Sequence, residues 1–159
     1  KYPFPHQIHV LPGMYNIDFM LFASILGATP DGRHAGDPIS CHYSPTPSKA
    51  TNGPTAALQS AAKGNLERGV AASPVYLTLP RLLDVDYPAT ISALMKGIQT
   101  LHLPIVNLSI ASEAELLDAV EHPEAHRDLV VRVWGYNAYF VDLDRPLQQH
   151  IIDRIMTQA

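Results

Sequence analysis

Leu129-Val130-Val131-Arg132-Val133-Trp134-Gly135-Tyr136 is the stretch on which the fold of this chain turns. Val130 to Val133 has the β-branched, apolar character of a strand, Gly135 breaks it, and Ala138 to Leu143 is expected to resume extended structure. Taken alone, Arg132 to Tyr136 is an ordinary strand-terminating turn, because glycine is the residue that tolerates backbone angles closed to the others.

Upstream of this stretch the pattern is regular. Val75 to Leu79 is expected as a strand, and Ile91, Leu94, Met95, Ile98 and Leu101 recur at helical spacing to define one buried face. Val106, Leu108 and Ile110 alternate with Asn107 and Ser109, as in a strand with one covered face. Ser112-Glu113-Ala114-Glu115 is a capping box opening a helix that should bury Leu116, Leu117 and Val120, and Pro123 should end it. Downstream, Leu147, Ile151, Ile152 and Ile155 line one side of a last helix.

Residues 1 to about 53 differ in character. Pro3, Pro5, Pro12, Pro30, Pro38, Pro45 and Pro47 break any long helix or central strand, so ordered loop is expected. Thr29-Pro30-Asp31-Gly32 is a turn sequence, with Pro presetting φ and Gly admitting a positive one. A short helix should start at Gly53-Pro54 and run through Ala62, since Pro at the first helical position gives up an N–H that has no partner there.

At 159 residues the chain can hold one core. Only 16% of its residues are charged, which leaves room for an apolar face buried against another chain. Eleven basic and fifteen acidic side chains are interspersed, with no Lys/Arg run to follow a phosphate backbone, so nucleic acid is not an expected partner. Cys41 is the only cysteine, which excludes an intrachain disulfide and a cysteine-held zinc or iron–sulfur site. The apolar run Phe19 to Leu26 falls short of the roughly 20 residues of a membrane span. A soluble, cytoplasmic protein without a membrane partner is expected.

Several separated motifs carry a more specific signal. The stretch at Gly135, followed by Phe140, Leu143, Gln148, Ile151-Ile152 and Arg154, resembles the radical-bearing terminus of the pyruvate formate-lyase and glycyl radical dehydratase superfamily. Gly27-Ala28-Thr29-Pro30-Asp31-Gly32-Arg33 with Ala35-Gly36, then Ser44-Pro45 and Asn52-Gly53-Pro54-Thr55, is similar to the region that precedes the radical loop there. Leu117, Asp118, Ala119 and His122-Pro123-Glu124 also agree, so the resemblance runs in order from about residue 20 to the end. Two departures stand out: Trp134 and Asn137 occupy positions that are usually small, and Gln99-Thr100 replaces a Gly-Gly pair. A bulky indole beside the glycine is expected to need matching space in a partner, or else to leave the loop less free to move.

The resemblance implies an α/β fold, the C-terminal part of a ten-stranded α/β barrel whose centre receives the radical loop. It divides the chain into a Pro/Gly-rich region, 1–53, packing on a partner, and a glycine-radical domain, 54–159. It implies that Gly135 stores an oxygen-sensitive radical, with Arg132, Val133, Trp134 and Tyr136 supporting the loop. Glycine suits this role because an α-carbon radical delocalises over the flanking amides only in a flattened centre, and because its backbone is loose enough to swing out to an activating enzyme and back. In such families no cofactor or metal is bound by the radical domain; a separate radical-SAM activase installs the radical under anaerobic conditions. The glycyl radical then generates a thiyl radical on a cysteine for lyase or dehydratase chemistry.

That cysteine is expected on a larger partner chain, because Cys41, in Pro38-Ile39-Ser40-Cys41-His42-Tyr43, lies outside the Gly-Cys-hydrophobic-Glu setting of the family. The chain is thus expected to be the small subunit or C-terminal segment of a split, hetero-oligomeric glycyl radical enzyme, inactive alone. The alternatives are a fragment of one long enzyme chain, an autonomous spare-part protein that repairs an oxygen-cleaved enzyme, and a non-radical interaction domain. The remaining polar groups have plainer expected roles: His122 and His126 as solvated surface residues, Arg33 and Asp31 as an ion pair fixing the turn, and His6 and His9 without a third ligand.

Overall fold

A computed structural model describes residues 19–47, 49–64 and 74–155. His6 and His9 lie outside the described residues, as do Pro3, Pro5 and Pro12. The elements in chain order are α1 (Phe19–Ile25), α2 (Gly53–Ala62), β1 (Val75–Pro80), α3 (Tyr87–Thr100), β2 (Val106–Ala111), α4 (Glu113–Glu121), β3 (Val130–Arg132), β4 (Asn137–Tyr139) and α5 (Arg145–Asp153). Short 3₁₀ turns cover Pro123–Ala125 and Phe140–Asp142.

The helices start where the sequence supplies acceptors for orphan N–H groups. Asp86, Ser112 and Asp144 each accept from the amide three residues on, at 3.0, 3.2 and 2.9 Å, and so cap α3, α4 and α5. At its other end α3 closes with His102 at φ +52°, its N–H on the Gln99 carbonyl and the Leu103 N–H on that of Ile98. Gln99 and Thr100 occupy this last turn, where the Thr100 hydroxyl donates to the Lys96 carbonyl.

Strands β1 and β2 pair in parallel, Val75 opposite Val106 through Pro80 opposite Ala111, with α3 as the crossover that a parallel pair requires. Period-2 alternation gives this sheet two different faces. Val75, Leu77 and Leu79 enter one core with Leu58, Leu94, Ile98 and Leu103, and Val106, Leu108 and Ile110 pack against it. The opposite face carries Tyr76 and Thr78 beside Asn107 and Ser109. A second core gathers Leu116, Ala119, Val131, Val133, Phe140, Ile151 and Ile152 under the antiparallel hairpin of β3 and β4. A further bridge joins Thr78 to Ile155, tying β1 to the end of α5.

Several expectations need correction. Phe19–Ile25 is helical where loop was expected. Extended structure resumes only over Asn137–Tyr139, after which the chain turns in a 3₁₀ helix that points the fully buried Phe140 into the second core. Leu117 and Met95 are exposed, because each follows a buried leucine and so sits about 100° round its helix from the covered stripe. Ala119 takes the buried place beside Leu116. Every position of β2 is half-buried, so neither face is simply open or covered. Apart from these corrections, Tyr43 and Ala50, from the Pro/Gly-rich region, pack against the first core.

Candidate functional site

The Gly135 loop joins β3 to β4, which pair Val130 with Tyr139, Val131 with Ala138 and Arg132 with Asn137. The Val133 N–H donates to the Tyr136 carbonyl at 3.0 Å and closes the loop. Gly135 has φ +148°, and a Cβ built there would meet no atom within 4 Å. A side chain is thus opposed by the backbone angle and not by lack of room.

Three successive carbonyls before Gly135 are held by side chains from elsewhere in the fold. Arg154, just after α5, donates from Nη2 to the Arg132 oxygen at 2.6 Å and from Nη1 to the Val133 oxygen at 2.9 Å. Its Nε donates to Thr78 Oγ1 at 3.1 Å, fixing the guanidinium against β1. The Tyr76 hydroxyl donates to the Trp134 oxygen at 2.7 Å. Tyr76 and Thr78 share the polar face of β1, which is how one strand reaches both the loop and the arginine. Burial lowers the Arg154 pKa, opposed by the nearby Cys41 and Tyr76.

Around this clamp the expected loop residues separate. Val133 is fully buried, Trp134 and Arg132 are half-buried, and Gly135 and Tyr136 are exposed. Tyr136 therefore does not shield the glycine within this chain. Arg132 Nη1 donates to Asn137 Oδ1 at 3.3 Å, so the unusual Asn137 closes the base of the loop. The Trp134 indole packs against the second core and lies 6.5 Å from the His150 ring. This chain's own core thus covers part of the indole.

The other candidates are placed as follows. Cys41 is buried, and burial pushes its thiol up to about 12 against a downward pull from Arg154. It is held as a neutral thiol. The Arg33 guanidinium does not fix the turn by pairing with Asp31; it donates to the carbonyls of Ala23, Gly27 and Asp37. Asp31 takes the Thr29 hydroxyl instead, and that bond holds its carboxyl below the usual range.

His122 Nδ1 and His126 Nε2 each meet one oxygen of Asp118, at 3.0 and 2.6 Å, and His126 is largely covered. The pair is thus organised by one carboxylate and not merely solvated. Among the described residues no group of three or more His, Cys, Asp or Glu is arranged to hold a metal, and no helix is long and apolar enough to cross a membrane.

Sequence reasoning does not single out Tyr76, and Arg154 enters it only through the family resemblance. The signal for Tyr76 was available in the alternation: it is the polar-tipped aromatic on the face of β1 opposite Val75, Leu77 and Leu79.

Residues 40–141 match the family model described as glycine radical. Trans-4-hydroxy-L-proline dehydratase of Clostridioides difficile is 31% identical over 157 residues, covering 91% of this chain and 19% of that protein. Isethionate sulfite-lyase of Oleidesulfovibrio alaskensis is 35% identical over 144 residues, covering 87% and 17%. The crystal structure of a glycyl radical enzyme from Archaeoglobus fulgidus superimposes with a TM-score of 0.82 at 33% identity, over 94% of this chain and 20% of that one. This chain spans about a fifth of the length of these proteins.

Proposed function

We propose, on the premise that the chain belongs to the glycyl radical enzyme superfamily, that it is the radical-storing part of a lyase or dehydratase and that Gly135 is the storage position. The observation that carries this is Gly135 itself. It is an exposed glycine at φ +148° with open space where a Cβ would be, at the tip of a hairpin whose preceding carbonyls are held rigidly. Such a centre can flatten on losing a hydrogen atom, and its neighbours keep it from wandering.

In this scheme a radical-SAM activase removes one hydrogen atom from the Gly135 α-carbon. The glycyl radical takes a hydrogen atom back from a cysteine S–H, restoring the C–H bond and leaving a thiyl radical to attack substrate. That cysteine lies outside this chain, because Cys41 is buried and lacks the family's setting. Arg132, Val133, Trp134 and Tyr136 support the loop, and the exposed Tyr136 and Gly135 are covered by the protein that supplies the cysteine.

Strands β1 and β2 contribute to the ten-stranded α/β barrel of the complete enzyme. In support, β1 is buried at five of its six positions and β2 is half-buried at all of them, as expected of strands taken from a larger sheet. The chain acts as a small subunit or C-terminal segment with a larger chain as its partner, in an anaerobic cytoplasm, and is inactive alone.

The test is anaerobic electron paramagnetic resonance of the full protein with its large partner, an activase and S-adenosylmethionine, beside a Gly135→Ala control. A glycyl doublet absent from the control is the expected result. No signal under conditions that activate a family member would remove Gly135 from this role and leave an interaction domain.

A further inference from the structure

We propose that Tyr76 is a positioning residue that latches the Gly135 loop shut, its hydroxyl bond to the Trp134 carbonyl being the contact that must release for the glycine to swing out. The proposal rests on the radical role assigned to Gly135 above and adds how that site is gated.

The Trp134 carbonyl and the Gly135 nitrogen belong to one peptide plane. Whatever holds that oxygen therefore sets the orientation of the amide through which a radical on Gly135 would delocalise. Tyr76, a residue only 7% exposed, holds it from 58 residues away, its oxygen 2.7 Å from the acceptor. The tyrosine is itself braced: its N–H donates to Ser44 Oγ at 2.9 Å, and its ring lies 5.7 Å from that of His42.

The two anchors of the loop differ in strength. Arg154 grips the Arg132 and Val133 carbonyls with a cation that is also bonded to Thr78, and charge-assisted bonds of this kind are roughly twice as strong as neutral ones. Tyr76 holds the carbonyl nearest the glycine through a neutral hydrogen bond. Opening is thus expected to break the tyrosine contact while Arg154 keeps the base of the hairpin in place. The chain pivots about the φ and ψ of Trp134, between the Val133 carbonyl that Arg154 keeps and the Trp134 carbonyl that is released, and Gly135 follows with the freedom of a residue that has no side chain.

A neutral hydrogen bond changes a closed-to-open ratio by about two- to tenfold. Tyr76→Phe keeps the ring and its packing and removes only the donor. The test is amide hydrogen–deuterium exchange followed by mass spectrometry on the full protein with any chain that co-purifies, without activation.

The peptide spanning residues 132–137 is expected to exchange about two- to tenfold faster in Tyr76→Phe, with the α4 peptide Glu113–Glu121 unchanged. Ser44→Ala removes the brace on the Tyr76 backbone and leaves the hydroxyl bond to the loop, so it is expected to raise that exchange less than Tyr76→Phe does. Unchanged exchange in Tyr76→Phe, or an equal rise in Ser44→Ala, overturns the latch.

A second arm follows the anaerobic growth of the glycyl signal with an activase and S-adenosylmethionine. The variant is expected to gain the radical faster and to lose it faster in air. Equal rates in parent and variant overturn the gating role. A radical absent from both, with faster loop exchange in the variant, removes the storage role of Gly135 and leaves Tyr76 as the residue that orders the loop.

Discussion

The guanidinium of Arg154 lies 2.9 Å from the carbonyl oxygen of Val133, two residues before Gly135. The same side chain reaches the Arg132 carbonyl and Thr78 Oγ1, so one residue at the end of α5 joins the hairpin to the parallel sheet. Removing it leaves two partly buried carbonyls and a hydroxyl without their donor.

Arg154→Ala is accordingly expected to destabilise the protein by about 2–4 kcal/mol. Arg154→Lys should recover less than half of that, because an ammonium cannot reproduce the planar fork that serves three acceptors. Denaturant titration of both variants checks this. A loss below about 0.5 kcal/mol in Arg154→Ala, the range of ordinary surface changes, would mean that the clamp is not formed in solution.

Gly135→Ala is expected to fold. The Cβ meets open space, so the cost is the backbone angle alone, on the order of 1–2 kcal/mol. Thermal or denaturant unfolding measures it. A variant that fails to fold would show that the loop is packed more tightly than its surroundings here allow.

Acid should weaken the fold through His150. Burial lowers its pKa to about 4, with the Arg154 cation acting in the same direction, so the folded ring is neutral at pH values where the unfolded ring is charged. Between the unfolded value near 6.5 and about 4, the unfolded state binds the extra proton and stability falls as pH falls. The full loss is on the order of 3 kcal/mol. His150→Gln should flatten the stability profile in this window. The Asp118 and Asp37 carboxyls have lowered pKa values and titrate below it. An unaltered slope in the variant would assign the acid sensitivity to other groups.

Cys41 should resist alkylation while the protein is folded. With its thiol near 12, the thiolate at pH 8 is about one part in ten thousand, before steric cover is counted. Iodoacetamide labelling followed by mass spectrometry is expected to be at least about a hundredfold slower than in denaturant. Labelling at the rate of a free thiol would show that Cys41 is exposed.

What could be read from the sequence was local or repetitive. Ser112, three residues before Glu115, marked the start of α4, and the spacing of Leu94 and Ile98 marked the buried stripe of α3, because caps and periodic faces involve neighbours a few positions apart. The separated motifs from about residue 20 to Arg154 placed the chain in its superfamily for a related reason, since each is a short contiguous stretch and their order lies along the chain.

Which leucine of a pair turned inward, and that Trp134 packs beneath its own hairpin, depended on how α4 and α5 meet that hairpin. The Tyr76 and Arg154 contacts lay furthest from sequence reading. They span 58 and 21 or more positions and exist only because parallel pairing turns Tyr76 and Thr78 toward the loop while Val75, Leu77 and Leu79 fill the opposite core. The sequence by itself determined the elements and the glycine, through local backbone preference and periodic burial. Only the tertiary structure decided what holds the carbonyls before that glycine, because a hydrogen bond between distant residues is set by strand register and packing, which no local pattern encodes.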